Sequence, residues 1–140
     1  MVRSAPFIAI AFIAASGLLS GCGSKDVATP PEQREDVSRQ EALMELNELL
    51  QLRATDANGK PPKRAADLAK YEKLYSVAWP KVRDGEIVVF YGVPLDKQVS
   101  DKVLAYEKKT PESGGYVLMQ DGTTIKKLTA DEFKAAPKAK

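Results

Sequence analysis

The chain has 140 residues, with 21 Lys+Arg against 19 Asp+Glu and a formal net charge of +2. It contains one cysteine and no histidine. These counts exclude an internal disulfide, Cys/His zinc sites, and nucleophilic catalysis that needs a histidine base. The charges are mixed, and no basic block points to nucleic acid.

The N-terminus carries Arg3 and then an apolar run over residues 7–19. The run is too short for a membrane-spanning helix, which needs roughly 20 apolar residues. It leads into Leu19-Ser20-Gly21-Cys22. This is the layout of a secretory signal, with small residues before the cleavage point. It resembles a bacterial lipobox. The resemblance implies that residues 1–21 are removed and that Cys22, the lone thiol, carries the lipid. Two or more acyl chains would give the stable anchor that one chain cannot. The alternative is an ordinary secretory signal with an incidental cysteine. Gly23, rather than Asp, follows the cysteine. In the lipoprotein sorting pattern of Gram-negative bacteria this implies an outer-membrane protein facing the periplasm. In a host without an outer membrane the same signal implies the cell surface.

Residues 22–37 read as a flexible tether. They are polar, contain Pro30-Pro31 and show no apolar periodicity. A first helix is predicted from Ser38, where Ser38 and Glu41 form a capping-box pattern. Leu43, Leu46, Leu49 and Leu50 recur at helical spacing and mark its core face, with Ala42 and Arg53 extending it. A seam for a partner helix is the alternative reading. Asp56-Ala57-Asn58-Gly59 stops this helix. Pro61-Pro62 opens a second, short helix through Ala65, Leu68 and Tyr71 to about Leu74.

From Trp79 the period changes to two. Lys81-Val82-Arg83 and residues 86–91 flank Asp84-Gly85, a two-residue hairpin signal. Residues 87–91 are apolar on both faces, which predicts a central strand. A third strand follows at residues 103–106, then a turn over residues 110–115. A fourth strand spans residues 116–119. Asp121-Gly122 turns into a fifth over residues 124–128. Thr129 and Glu132 repeat the capping-box pattern and start a last short helix, ended by Pro137. Helices followed by a run of strands with short turns predict an α+β domain over residues 38–140. An N-terminal helix would pack on a small antiparallel meander.

Three segments carry a further resemblance. They are the leading helix, Asn58-Gly59-Lys60-Pro61-Pro62 with Asp67-Leu68, and the run from Gly114 to Gly122 that ends a strand in Asp121-Gly122. Together they resemble the globular part of type IV pilin-like proteins. They also resemble the prepilin-type domain of planctomycetes, in which a histidine stands ten residues before Asp-Gly. The resemblance implies a pilin-like fold. Here the histidine position is Pro111, and no Gly-Phe-Thr-Leu-Ile-Glu cleavage site is present.

Candidate chemistry is sparse. Asp84-Gly85 and Asp121-Gly122 are explained by turns that need φ > 0. Asp121, Thr123 and Thr124 are too few oxygens for a calcium loop. Tyr71, Tyr75 and Trp79 form an aromatic set that either packs helix on sheet or stacks on a cell-wall glycan. Glu107, Lys108 and Lys109 read as a solvated strand edge. Asp96, Asp101 and Glu107 would be needed for carboxylate catalysis, but nothing in the sequence brings them together. Lys134, Lys138 and Lys140 read as a solvated tail. The expectation is therefore a non-enzymatic, cofactor-free envelope lipoprotein with a structural or assembly role and a protein partner. The alternative is a small binding module for glycan or another envelope ligand.

Overall fold

The core is organised by helix α1 (Pro31–Asp56), 26 residues long and about 39 Å from end to end. The computed structural model describes residues 31–140, so the expected signal segment over residues 1–21, Cys22 and residues 23–30 lie outside the described residues. Only the C-terminal two-thirds of α1 faces the core. Ala42, Leu43, Leu46, Leu49 and Leu50 are buried there, as their spacing requires. Each leucine contributes roughly 1.5–3 kcal/mol by leaving water.

The helix starts seven residues before the expected Ser38. Residues 31–37, assigned to the tether, are helical instead. Pro31 suits a first helical position and Glu32 complements the helix dipole. Ion pairs from Asp36 and Arg39 then hold this polar turn to the sheet. Ser38 is an exposed interior residue of the helix, not its cap.

After the Asn58-Gly59 turn, where both residues have positive φ, a 3₁₀ helix runs over Ala65–Tyr71. Helix α2 (Ala78–Arg83) follows, where a strand of a hairpin was expected. The reason is tertiary. Glu45 of α1 reaches over, and one carboxylate oxygen accepts the N–H groups of Val77 and Ala78 at 2.9 and 2.8 Å. That caps the helix start from another element. Trp79 and Val82 then bury on one helical face. Asp84-Gly85 is the turn leaving this helix, with Gly85 at φ 73°.

Four strands form an antiparallel meander in chain order: β1 (Ile87–Val89), β2 (Val103–Glu107), β3 (Gly115–Met119) and β4 (Ile125–Leu128). The apolar segment expected at the centre, β1, is an edge strand. Its inner face packs under α2 and its pairing ends at Val89. The one-turn helix α3 (Thr110–Ser113) occupies the expected turn between β2 and β3. Helix α4 (Ala130–Ala135) closes the fold with the expected capping box of Thr129 and Glu132.

The sheet is buried on both faces. Tyr116 and Leu118 face α1, whereas Val117 and Met119 meet Phe133 of α4. A register shift between Val103 and Ala105 turns Leu104 and Ala105 into the same core, while Val103 faces α4. Residues 137–139 run beside the start of β2. Val103 N–H donates to Pro137 O, and Ala139 N–H donates to Val103 O, both at 2.9 Å. The chain is thus an α+β domain with an N-terminal helix on an antiparallel sheet.

Candidate functional site

The principal polar constellation lies where the first third of α1 crosses the end of the sheet. Arg39 of α1 grips Glu107 of β2 through two bonds: Nε to Oε1 at 2.7 Å and Nη2 to Oε2 at 2.6 Å. Glu107 Oε2 also accepts the backbone N–H of Tyr116 at 2.6 Å. Asp36, one turn earlier on α1, bonds Lys127 Nζ of β4 at 2.7 Å and Arg39 Nη1 at 3.3 Å. Arg39 and Lys127 both lie 5.3 Å from the centre of the Tyr116 ring. Four charges are therefore paired over one buried tyrosine, joining α1 to β2, β3 and β4.

The electrostatics follow from these bonds. The Lys127 ammonium holds the Asp36 carboxyl below its ordinary value, and Asp36 raises Lys127 in return. Glu107 raises Arg39. The seam requires glycine at position 115. A Cβ there would stand 2.6 Å from Thr110 Oγ1, 2.7 Å from Glu107 Oε2 and 3.3 Å from Arg39 Nη2. The Thr110 hydroxyl is fully buried beside it and has no hydrogen-bond partner among the described residues.

An open groove of about 1110 Å³ adjoins the seam. Arg39, Lys108, Lys109, Glu112, Gly115 and Lys127 are among the residues that line it. Both signs of charge line it. Glu107 is thus not a solvated edge residue: its side chain is 16% exposed and forms two sides of the seam. Lys108 and Lys109 are exposed as expected.

The aromatic set is not a stacking platform. Tyr71 and Trp79 are 4% and 5% exposed and belong to the core. The Tyr71 hydroxyl donates to Asp56 Oδ2 at 2.7 Å, which ties the end of α1 to the 3₁₀ helix. Tyr75 is half-buried against the same core, and burial raises its pKa. A sugar needs an open ring face, and two of these three rings have none. Among the described residues, the rings that touch one another are Phe90, Tyr106 and Phe133, with centroid separations of 5.7 and 4.7 Å.

Asp121 is 8% exposed and folds back on its own turn. Its Oδ1 accepts the N–H groups of Thr123 and Thr124 at 3.0 and 2.9 Å, and its Oδ2 accepts the Thr124 hydroxyl. Burial opposes ionisation, but these bonds outweigh it and the pKa is lowered. Among the described residues, no group of three or more Asp, Glu, His or Cys could hold a metal ion. No helix among them is long and apolar enough to cross a membrane. Cys22 lies outside the described residues.

Comparison with protein families, curated proteins and solved structures found no significant match. The Arg39–Glu107 contact spans 68 residues of sequence, so no local pattern announced it. Only the Asp36–Arg39 spacing of three residues was legible, and it straddled the expected boundary, with Asp36 in the segment read as a tether and Arg39 in the predicted helix.

Proposed function

We propose that this chain is a lipid-anchored protein of the cell envelope whose domain has a non-catalytic, structural or assembly role. The observation that carries the reading is Leu19-Ser20-Gly21-Cys22 at the end of a short apolar run. Lipid on Cys22 would hold the domain to a membrane, with Gly23 favouring the outer membrane and its periplasmic side. Cys22 stands nine positions before Pro31, the first described residue.

The polar site supports the same reading. Its strongest charge pairs hold α1 against the sheet, a bracing role that needs no turnover. The resemblance to pilin-like domains bears on the architecture rather than on filament formation, because the described helix α1 is polar at its start. The test is intact-mass analysis of the membrane fraction, comparing wild type with Cys22→Ser. A mature mass beginning at Cys22 with diacylglyceryl and acyl additions, lost in the variant, is the expected result. A soluble, unmodified form cut elsewhere overturns the reading.

A further inference from the structure

Three large apolar side chains are exposed among the described residues: Val37 at 61%, Met44 at 58% and Leu74 at 68%. Val37 and Met44 stand seven residues apart on α1, so they share one stripe. Glu41 and Glu48 continue that stripe and are also exposed. Neither carboxylate forms an ion pair among the described residues. The stripe lies on the opposite side of the helix from Leu43, Leu46 and Leu50, which face the core.

The charge distribution is lopsided. Helix α1 has seven acidic and three basic residues. Residues 57–140 carry sixteen Lys/Arg against eleven Asp/Glu. One of the three arginines of α1, Arg39, is committed to Glu107. The outer face of α1 therefore offers apolar anchors at i and i+7 with a carboxylate four residues after each.

We propose that the Val37–Glu41–Met44–Glu48 stripe of α1 docks a basic amphipathic helix of a second envelope protein. This deepens the envelope reading above and rests on it. Apolar anchors at this spacing are how a helix reads another helix, and flanking charges choose the partner. A second copy of α1 would set Glu41 and Glu48 against the same carboxylates, which disfavours pairing. The rest of the described surface has only Leu74 as an exposed large apolar side chain to answer Val37 and Met44. An anionic membrane surface would repel the stripe. From Val37 to Glu48 the contact is about 16 Å long. That is smaller than a stable interface. Confinement of both partners to one envelope supplies the effective concentration that such a short contact needs.

The experiment places the photo-crosslinker p-benzoylphenylalanine at position 44 of the full chain in its native host. The same probe at exposed position 134, on α4 across the sheet from α1, is the control. The crosslinked peptide is identified by mass spectrometry. The expected result is one partner helix with Lys or Arg beside apolar residues three or four apart. Glu41→Lys with Glu48→Lys should lower the yield at least tenfold, and Lys→Glu changes in the mapped partner should restore it. Both substituted sites are exposed, so the thermal midpoint should be unchanged. Crosslinks to a second copy, to lipid or to nothing overturn the proposal, as does a yield insensitive to charge reversal. The Cys22 mass keeps the two readings apart: an anchored protein without the crosslink sinks the docking surface alone. A crosslink on a soluble, unmodified form would sink the anchor alone.

Discussion

Removing the charge of Glu107 is expected to loosen the start of α1 without unfolding the domain. The Arg39 and Glu107 side chains are 30% and 16% exposed. Fully exposed ion pairs contribute up to about 1 kcal/mol, and breaking fully buried ones costs about 3–5 kcal/mol. The present pair lies between these limits and has bidentate geometry, with bonds of 2.7 and 2.6 Å. We therefore expect a coupling of about 1–2 kcal/mol. The assay is urea unfolding of wild type, Arg39→Met, Glu107→Gln and the double variant, read as a double-mutant cycle. Glu107→Ala should cost more, about 3 kcal/mol in total, because it also strips the Tyr116 N–H of its acceptor. Hydrogen exchange should rise in the first turns of α1 while the amides around Leu46 stay protected. A coupling below about 0.3 kcal/mol would refute the bracing role, as would equal loss of protection along the whole helix.

Leu46→Ala empties a fully buried position under the sheet and should destabilise the domain by about 2–5 kcal/mol in urea titration. Gly115→Ala drives a methyl group to within 2.7 Å of Thr110 Oγ1 and Glu107 Oε2, and should cost about 1–3 kcal/mol. In the Glu107→Ala background the cost of Gly115→Ala should shrink, because one of the two obstructing oxygens is gone. The lowered pKa of Asp121 sets a pH dependence. Its stabilising contribution is complete above its ordinary value of 3.8 and is lost as pH falls through the lower folded value. Asp121→Asn should therefore reduce stability at pH 6 and flatten the acid limb of a stability–pH curve. An unchanged acid limb would remove Asp121 from the explanation.

The elements legible in the sequence were those whose cause is local. The leucine spacing of α1 follows from 3.6-residue periodicity, and the same residues are buried in the fold. The capping box at Thr129 and Glu132 needs only its own four residues, and it forms. The Asp121-Gly122 turn satisfies its aspartate within three residues, and its glycine has φ 73°. Such features depend on neighbours in the chain, so the sequence by itself determined the α+β class and most strand positions.

What the tertiary structure decided depended on distant partners. Residues 78–83 became a helix because Glu45, more than thirty residues away, supplies the cap. Residues 31–37 joined α1 beside charges that meet β2 and β4 only after folding. Strand β1 was read as central from its apolar run, yet its position was set by which edge α2 covers. Tyr71 and Trp79 were drawn into the core by the same packing. Local pattern specifies what a segment can become. The desolvated charges and ring faces of this domain were assigned by contacts between segments dozens of residues apart, which no local window contains.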